Sequence, residues 1–292
     1  GETNDSGAIN WWAVAVLPDG GVVYSRSNGE IMAIDPPYTG EHRRLGATPE
    51  PYMYVLAADA AGDVYAAGGR DSNLYRFSPG GSLSTLATDL PFPVVSDVDI
   101  GTDGTVYVAG NTRVVAVDPS GEVSTIVDGL NFEPVWVEVA PDGNLYINEL
   151  TRGLQRFDPA DGQVTSIKVR HGFADFVAVT SSEFIFHLKE VLYRLNIDTN
   201  AVTPLLVNAG NSSAFAAAAG GAVFFATPPL NPVLDSHIVQ VQVDGTSRQL
   251  IELSYGSIMA ADVDKANRLN LATDEGFVRI EPGGSITSVP LR

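Results

Sequence analysis

PDGNLYINELTRGLQRFDPADG, running from Pro141 to Gly162, carries the pattern that decides the fold. A tight Asp-Gly turn leads into a short apolar strand with an aromatic at its centre, Tyr146. A second alternating strand follows, and it closes on an Asp-Pro and Gly turn. Proline presets φ, aspartate bonds the backbone two residues on, and glycine accepts positive φ, so these residues serve the turns. Asp35, Asp118 and Asp158, which stand in such turns, are therefore poor catalytic candidates.

The same pattern recurs on both sides of this stretch. Upstream it reads PDGGVVYS (Pro18 to Ser25), AAGDVYAA (Ala60 to Ala67) and TDGTVYVA (Thr102 to Ala109); downstream it degenerates to SSEFIFH from Ser181, GGAVFFA from Gly220 and ANRLNLA from Ala266. Aligning the strand position gives Tyr24, Tyr65, Tyr107, Tyr146, Ile185, Phe224 and Asn270, with spacings of 41, 42, 39, 39, 39 and 46. The following strand repeats in step, from EIMAIDP at Glu30 to FVRIEPGG at Phe277, so two registers agree on seven copies.

Each copy has room for four short strands, and none shows helical periodicity. Four strands per roughly 40 residues, repeated, is the mark of a propeller. The expected fold is all-β: a seven-bladed β-propeller of four-stranded antiparallel blades. It occupies residues 11–292 as one domain behind a flexible N-terminal segment, residues 1–10. The copies predict closure by packing between blades rather than by a strand shared between the termini.

Composition narrows the partners. With 17 Lys and Arg against 35 Asp and Glu, the net charge of −18 is the wrong sign for binding nucleic acid. The absence of Cys excludes a disulfide and a thiolate nucleophile. No apolar run reaches the roughly 18 residues of a membrane span, so the chain is not expected to be an integral membrane protein. The first residue is Gly rather than Met, and the leader GETNDSG is polar. Together with the missing Cys this predicts a secreted or periplasmic protein, expected to be a monomer.

The run φ-x-φ-x-x-D-G-x-φ-Y, followed by φ-x-x-φ-D-P-x-G, resembles the NHL repeat and the related SMP-30/gluconolactonase and virginiamycin B lyase propellers. Asn144 to Pro159 is the segment most similar to the lyase repeat. The resemblance covers nearly the whole chain and implies a seven-bladed ring. It implies, for an enzyme of this kind, a metal-dependent lactonase or lyase. Gluconolactonase-like enzymes carry a metal-ligating Glu before the first inner strand, where this chain has Asn10, Trp11 and Trp12. The lyase group uses His and Glu in late blades, and the one His after His187 is His237.

We name the four strands of a blade a to d from the channel outward. The loops from d to the next a, and from b to c, then share one face. Aromatics gather in the d-to-a segments: Trp11, Trp12, Tyr52, Tyr54, Phe92, Trp136, Phe176 and Tyr255. They form either a ring around the channel mouth or wedges between blades. The b-to-c loops add Arg70, Arg113 and Arg152 as anion-holding groups. Glu149, His187 and His171, from blades four and five, are the candidate general acid and base. Strand a carries acids where Ala57, Ala178 and Ala217 stand in other copies: Asp262 in blade seven, and Asp97, Asp99 and Glu138 in blades three and four. Buried carboxylates must be paired or bonded, so the last three are expected either to hold Ca²⁺ or Mg²⁺ through oxygen or to bond backbone between blades.

Two functions follow. One is a binding module that presents an aromatic-rimmed pocket to a small molecule, glycan or peptide. The alternative is a metal-dependent lactonase or lyase. The unmatched catalytic pattern favours the first.

Overall fold

A computed structural model describes residues 11–290 except 69, 93, 131–134, 141, 150–152, 168–175, 179–181, 189–190, 200, 208–213, 218–222, 228–235, 243, 254–257, 265, 267 and 274–275. The chain is all-β, with seven four-stranded antiparallel sheets, each built from four strands consecutive in the chain. The a strands are Trp11–Val16, Met53–Ala58, Val95–Ile100, Val135–Val139, Phe176–Ala178, Ala214–Ala217 and Ile258–Val263. Neighbouring a strands touch all the way round, and the first meets the last. The ring of a seven-bladed propeller is thus closed by packing, as the repeat predicts, with no strand exchanged between blades one and seven.

The aromatic of strand b explains why blades pack. Tyr65, Tyr107 and Tyr146 are buried, and each lies in a cluster shared with the following blade. At the seam of blades four and five, the Tyr146 and Phe184 rings meet with centroids 4.2 Å apart. Blade one departs from the expected alignment. Leu17 N bonds Gly21 O where Ala140 N bonds Asn144 O, so Val23, not Tyr24, is the counterpart of Tyr146. The turn Pro18-Asp19-Gly20-Gly21 is as long as Pro141-Asp142-Gly143-Asn144, so the aromatic of blade one stands one residue later in its strand, and one residue reverses the face. Val23 accordingly packs toward blade two and Tyr24 toward blade seven.

A second irregularity sits at the upper end of the ring, where a strands begin and b strands end. The pairing of a with b slips by one residue in blades one, two, three and seven, between Trp11 and Val14, Met53 and Val55, Val95 and Asp97, and Ile258 and Ala260. Blades four, five and six pair without a slip over their described residues. Such a bulge leaves one residue unpaired and turns its side chain.

Candidate functional site

Among the described residues, the bulge of blade two presents the most accessible aromatics of the upper face. Met53 pairs with Gly68 and Val55 with Ala67, leaving Tyr54 outside the ladder. Tyr52 and Tyr54 are 37% and 44% exposed, unusual for large rings beside a core. Their rings are nearly parallel, at 14°, with centroids 6.4 Å apart. Tyr52 holds φ at +65°, a left-handed backbone that a bulky residue adopts only where its surroundings enforce it. Gly68 is part of that enforcement. A Cβ there would lie 2.6 Å from Tyr54 N and 2.9 Å from Tyr52 O, and its own φ is +128°.

Acidic groups lie close to the pair in sequence. Tyr75 donates its hydroxyl to Asp71 Oδ2, and Asn73 Nδ2 reaches the same oxygen at 3.1 Å. Burial, then the bond to Asp71, with Glu50 adding its charge, pushes the Tyr75 hydroxyl up to about 12. Glu50 precedes Tyr52 by two residues, and Asp71 follows Gly68 by three. Arg70 is exposed on the same loop.

Other aromatics divide differently from a ring. Phe92 is 4% exposed and wedged between blades two and three, against Gly110, whose missing Cβ makes room for its ring. Trp136 packs against the cluster of blades four and five. For these two the wedge reading holds. Trp11, Trp12 and Phe176 begin a strands, their side chains lying outside the described residues, as do Tyr255, Arg152 and His171 altogether.

The polar candidates are less loop-borne than the sequence suggests. Glu149 ends strand b of blade four, Leu145–Glu149, and is fully buried. His187 lies within strand b of blade five, Glu183–Leu188, and is 9% exposed. Both stand at the upper ends of adjacent blades. Arg113 opens its c strand and pairs with Asp128 of the same blade at 3.3 Å.

Asp97 and Asp99 spend their carboxylates on backbone. One oxygen of each caps its own successor, Val98 N at 2.9 Å and Ile100 N at 2.7 Å. The other crosses to blade four, at Val137 N (3.0 Å) and Val139 N (2.6 Å). Strand a is a sheet edge whose amides would otherwise lack partners, and the aspartates of the preceding blade supply them. This is the inter-blade alternative to a metal. Among the described residues no three His, Asp or Glu gather as a metal-holding group, so the donors do not fit a hard cation there.

Asp262 repeats the device at the closing seam, bonding Val263 N at 2.7 Å and Val16 N of blade one. Burial pushes both Asp99 and Asp262 up to about 6, and the Asp99 charge adds to the rise at Asp262.

Sequence reasoning passed over Arg279. It is 0% exposed and joins blade seven to blade one: Nε donates to Asn270 Oδ1 at 2.8 Å, Nη2 donates to Gly20 O, and its guanidinium lies 4.2 Å from the Tyr38 centroid. Tyr38 Oη donates to the same Gly20 carbonyl at 2.7 Å. Asn270, a polar residue in an aromatic register, was the available signal.

Two concavities among the described residues lie on the lower face. One of about 230 Å³ runs between blades one and two, lined by Leu17, Pro18, Arg43 and Pro79 among others. One of about 200 Å³ lies at the lower mouth beside Asp59, Asp262 and Asp264.

No family model matches the chain, and no curated protein matches it. Among solved structures it is similar to a streptogramin B lyase, with a TM-score of 0.76 and 14% identity over 97% of this chain and 95% of that one. It is similar to the virginiamycin B lyase of Staphylococcus aureus at 0.73 and 14%, covering 92% and 93%. The WD40 propeller domain of Doa1 gives 0.70 and 11%, covering 95% and 93%. At such identities the likeness is one of fold.

Proposed function

We propose that this propeller is a binding module, working outside the cytoplasm, that receives a small molecule, glycan or peptide at its upper face. The observation that carries the reading is the Tyr52 and Tyr54 pair, exposed, parallel and held by a bulge and a left-handed backbone. Exposed rings on a rigid scaffold offer contact area at little entropic cost. The channel carboxylates support the same reading, because Asp97 and Asp99 serve to join blades. The test is a screen of small molecules, glycans and peptides against wild type and the Tyr52→Ala/Tyr54→Ala double variant. Ligands are expected to lose at least tenfold in affinity in the variant; undiminished binding there overturns the assignment of this site.

The second reading is a lactonase or lyase, and it is favoured by the burial of Glu149 and His187 at the upper ends of adjacent blades. Two of the similar structures are lyases by name. In that reading Glu149 and His187 exchange a proton with the substrate, and a Ca²⁺ or Mg²⁺ ion, if used, takes ligands other than the amide-bonded oxygens of Asp97 and Asp99. Turnover of a lactone or cyclic ester, abolished by Glu149→Gln or His187→Ala in folded protein, would put the enzyme first.

A further inference from the structure

We propose that the Tyr52 and Tyr54 platform selects an organic cation, a quaternary or methylated ammonium group carried by a small molecule or side chain. The inference rests on the binding reading above and names the chemistry of its ligand. Three observations converge. The faces of tyrosine rings carry the negative lobe of the ring quadrupole, and a cation within about 6 Å of a ring centroid is attracted to it. Two such rings stand here nearly parallel, 6.4 Å apart and accessible to solvent. An alkylated ammonium resting on both gains ring attraction and apolar contact together.

The surrounding charge points the same way. Glu50 lies two residues before Tyr52, and Asp71 lies three after the Gly68 that supports Tyr54. Both carboxylates act on the one hydroxyl of Tyr75, a residue of the same blade. Asp71 is fixed there by Tyr75 and Asn73. Arg70 opposes them, but it is exposed and long enough to turn away into water. Beyond the corner the whole molecule carries −18, a field that concentrates cations and repels anions near the mouth. A neutral ring would gain from the tyrosines alone; a cation gains from the tyrosines, the two carboxylates and the field.

The experiment is a calorimetric titration of the full chain with choline and with 3,3-dimethylbutan-1-ol, its neutral isostere, at low salt, with a methyl glucoside as neutral sugar. Choline is expected to bind at least fivefold more tightly than the isostere. Tyr54→Leu, which keeps the apolar bulk and removes the ring face, is expected to abolish that preference. Glu50→Gln and Asp71→Asn are expected to weaken choline severalfold and leave the isostere unchanged. Equal binding of choline and isostere, or binding of the glucoside alone, each lost in Tyr54→Ala, overturns the cation and leaves the binding reading standing. No binding by any of the three probes overturns the cation; the broader screen described above then decides the binding reading separately.

Discussion

Arg76 and Arg279 occupy the same place in their blades, one paired with Tyr65 and the other with Asn270 across the b and c strands. Yet Arg76 lies 40% exposed on an ion pair with Asp63, and Arg279 is buried under the turn of blade one. The seam above Arg76, between blades two and three, is apolar: Tyr65, Leu90, Phe92 and a set of valines. The seam above Arg279 has its own apolar cluster, with Tyr24, Ile34 and Phe277, and adds polar reach to it, with Gly20, Tyr38 and Asn270 gathered around one guanidinium. Replacing the aromatic with Asn removes the bulk that turns the Arg outward and supplies an acceptor that draws it in. The same repeat thus makes one seam of apolar volume and another in which a buried hydrogen-bonded arginine is added to the apolar contact.

The contrast can be broken from either side. Phe92→Ala empties the wedge of the apolar seam and is expected to cost about 4 kcal/mol in denaturant unfolding, as deletion of a buried aromatic does. Arg279→Ala strands the Gly20 and Asn270 acceptors and is expected to cost about 3 kcal/mol. Arg279→Met, which refills the volume, is expected to recover part of that cost; full recovery would reduce the polar seam to packing. Gly110→Ala sets a methyl against the Phe92 ring and is expected to cost about 2 kcal/mol by overpacking. Arg76→Ala, at the matching position, is expected to cost about 1 kcal/mol, less than Arg279→Ala, since water reaches the 40% exposed guanidinium although its partner Asp63 is buried.

A pH titration sharpens the comparison of the acid-laced seams. Asp99 and Asp262 sit at about 6 in the fold, above the ordinary 3.8, so each holds its proton more tightly folded than unfolded. The stability they contribute is complete below about pH 4 and is lost as pH rises through 6. Carboxylates held low, such as Asp35 by Arg43 and Glu30 by Asn28, act with the opposite sign. The measurement is therefore the difference between wild type and Asp99→Asn or Asp262→Asn at each pH. Wild type is expected to lose ground to each variant between pH 4 and 7; a flat difference would contradict the raised values.

The ring itself was legible because turns and apolar alternation obey local rules that every copy repeats. Seven copies in two registers left little freedom in strand count. The Tyr24 alignment fails because the aromatic of blade one stands one residue later in a strand of unchanged length, which leaves the pattern looking intact while reversing the face. Tyr52 and Tyr54 were marked by excess aromatic character, but Phe92 and Trp136 carry the same signal and are wedges. Exposure depends on bulges and neighbouring blades, which spacing along one strand does not record. Asp97 and Asp99 were correctly marked as anomalous; which partner they satisfy is set by a strand 40 residues away.

The single-residue slips at the upper ends of blades seven, one, two and three fall in four consecutive blades, and blade four pairs without one. An insertion at that point leaves the lower ladder of its blade in register, so it alters what is displayed without disturbing what holds the ring together. A repeat scaffold with this property can diversify its recognition surface one residue at a time, and selection can act on the display in some blades while the rest preserve the frame.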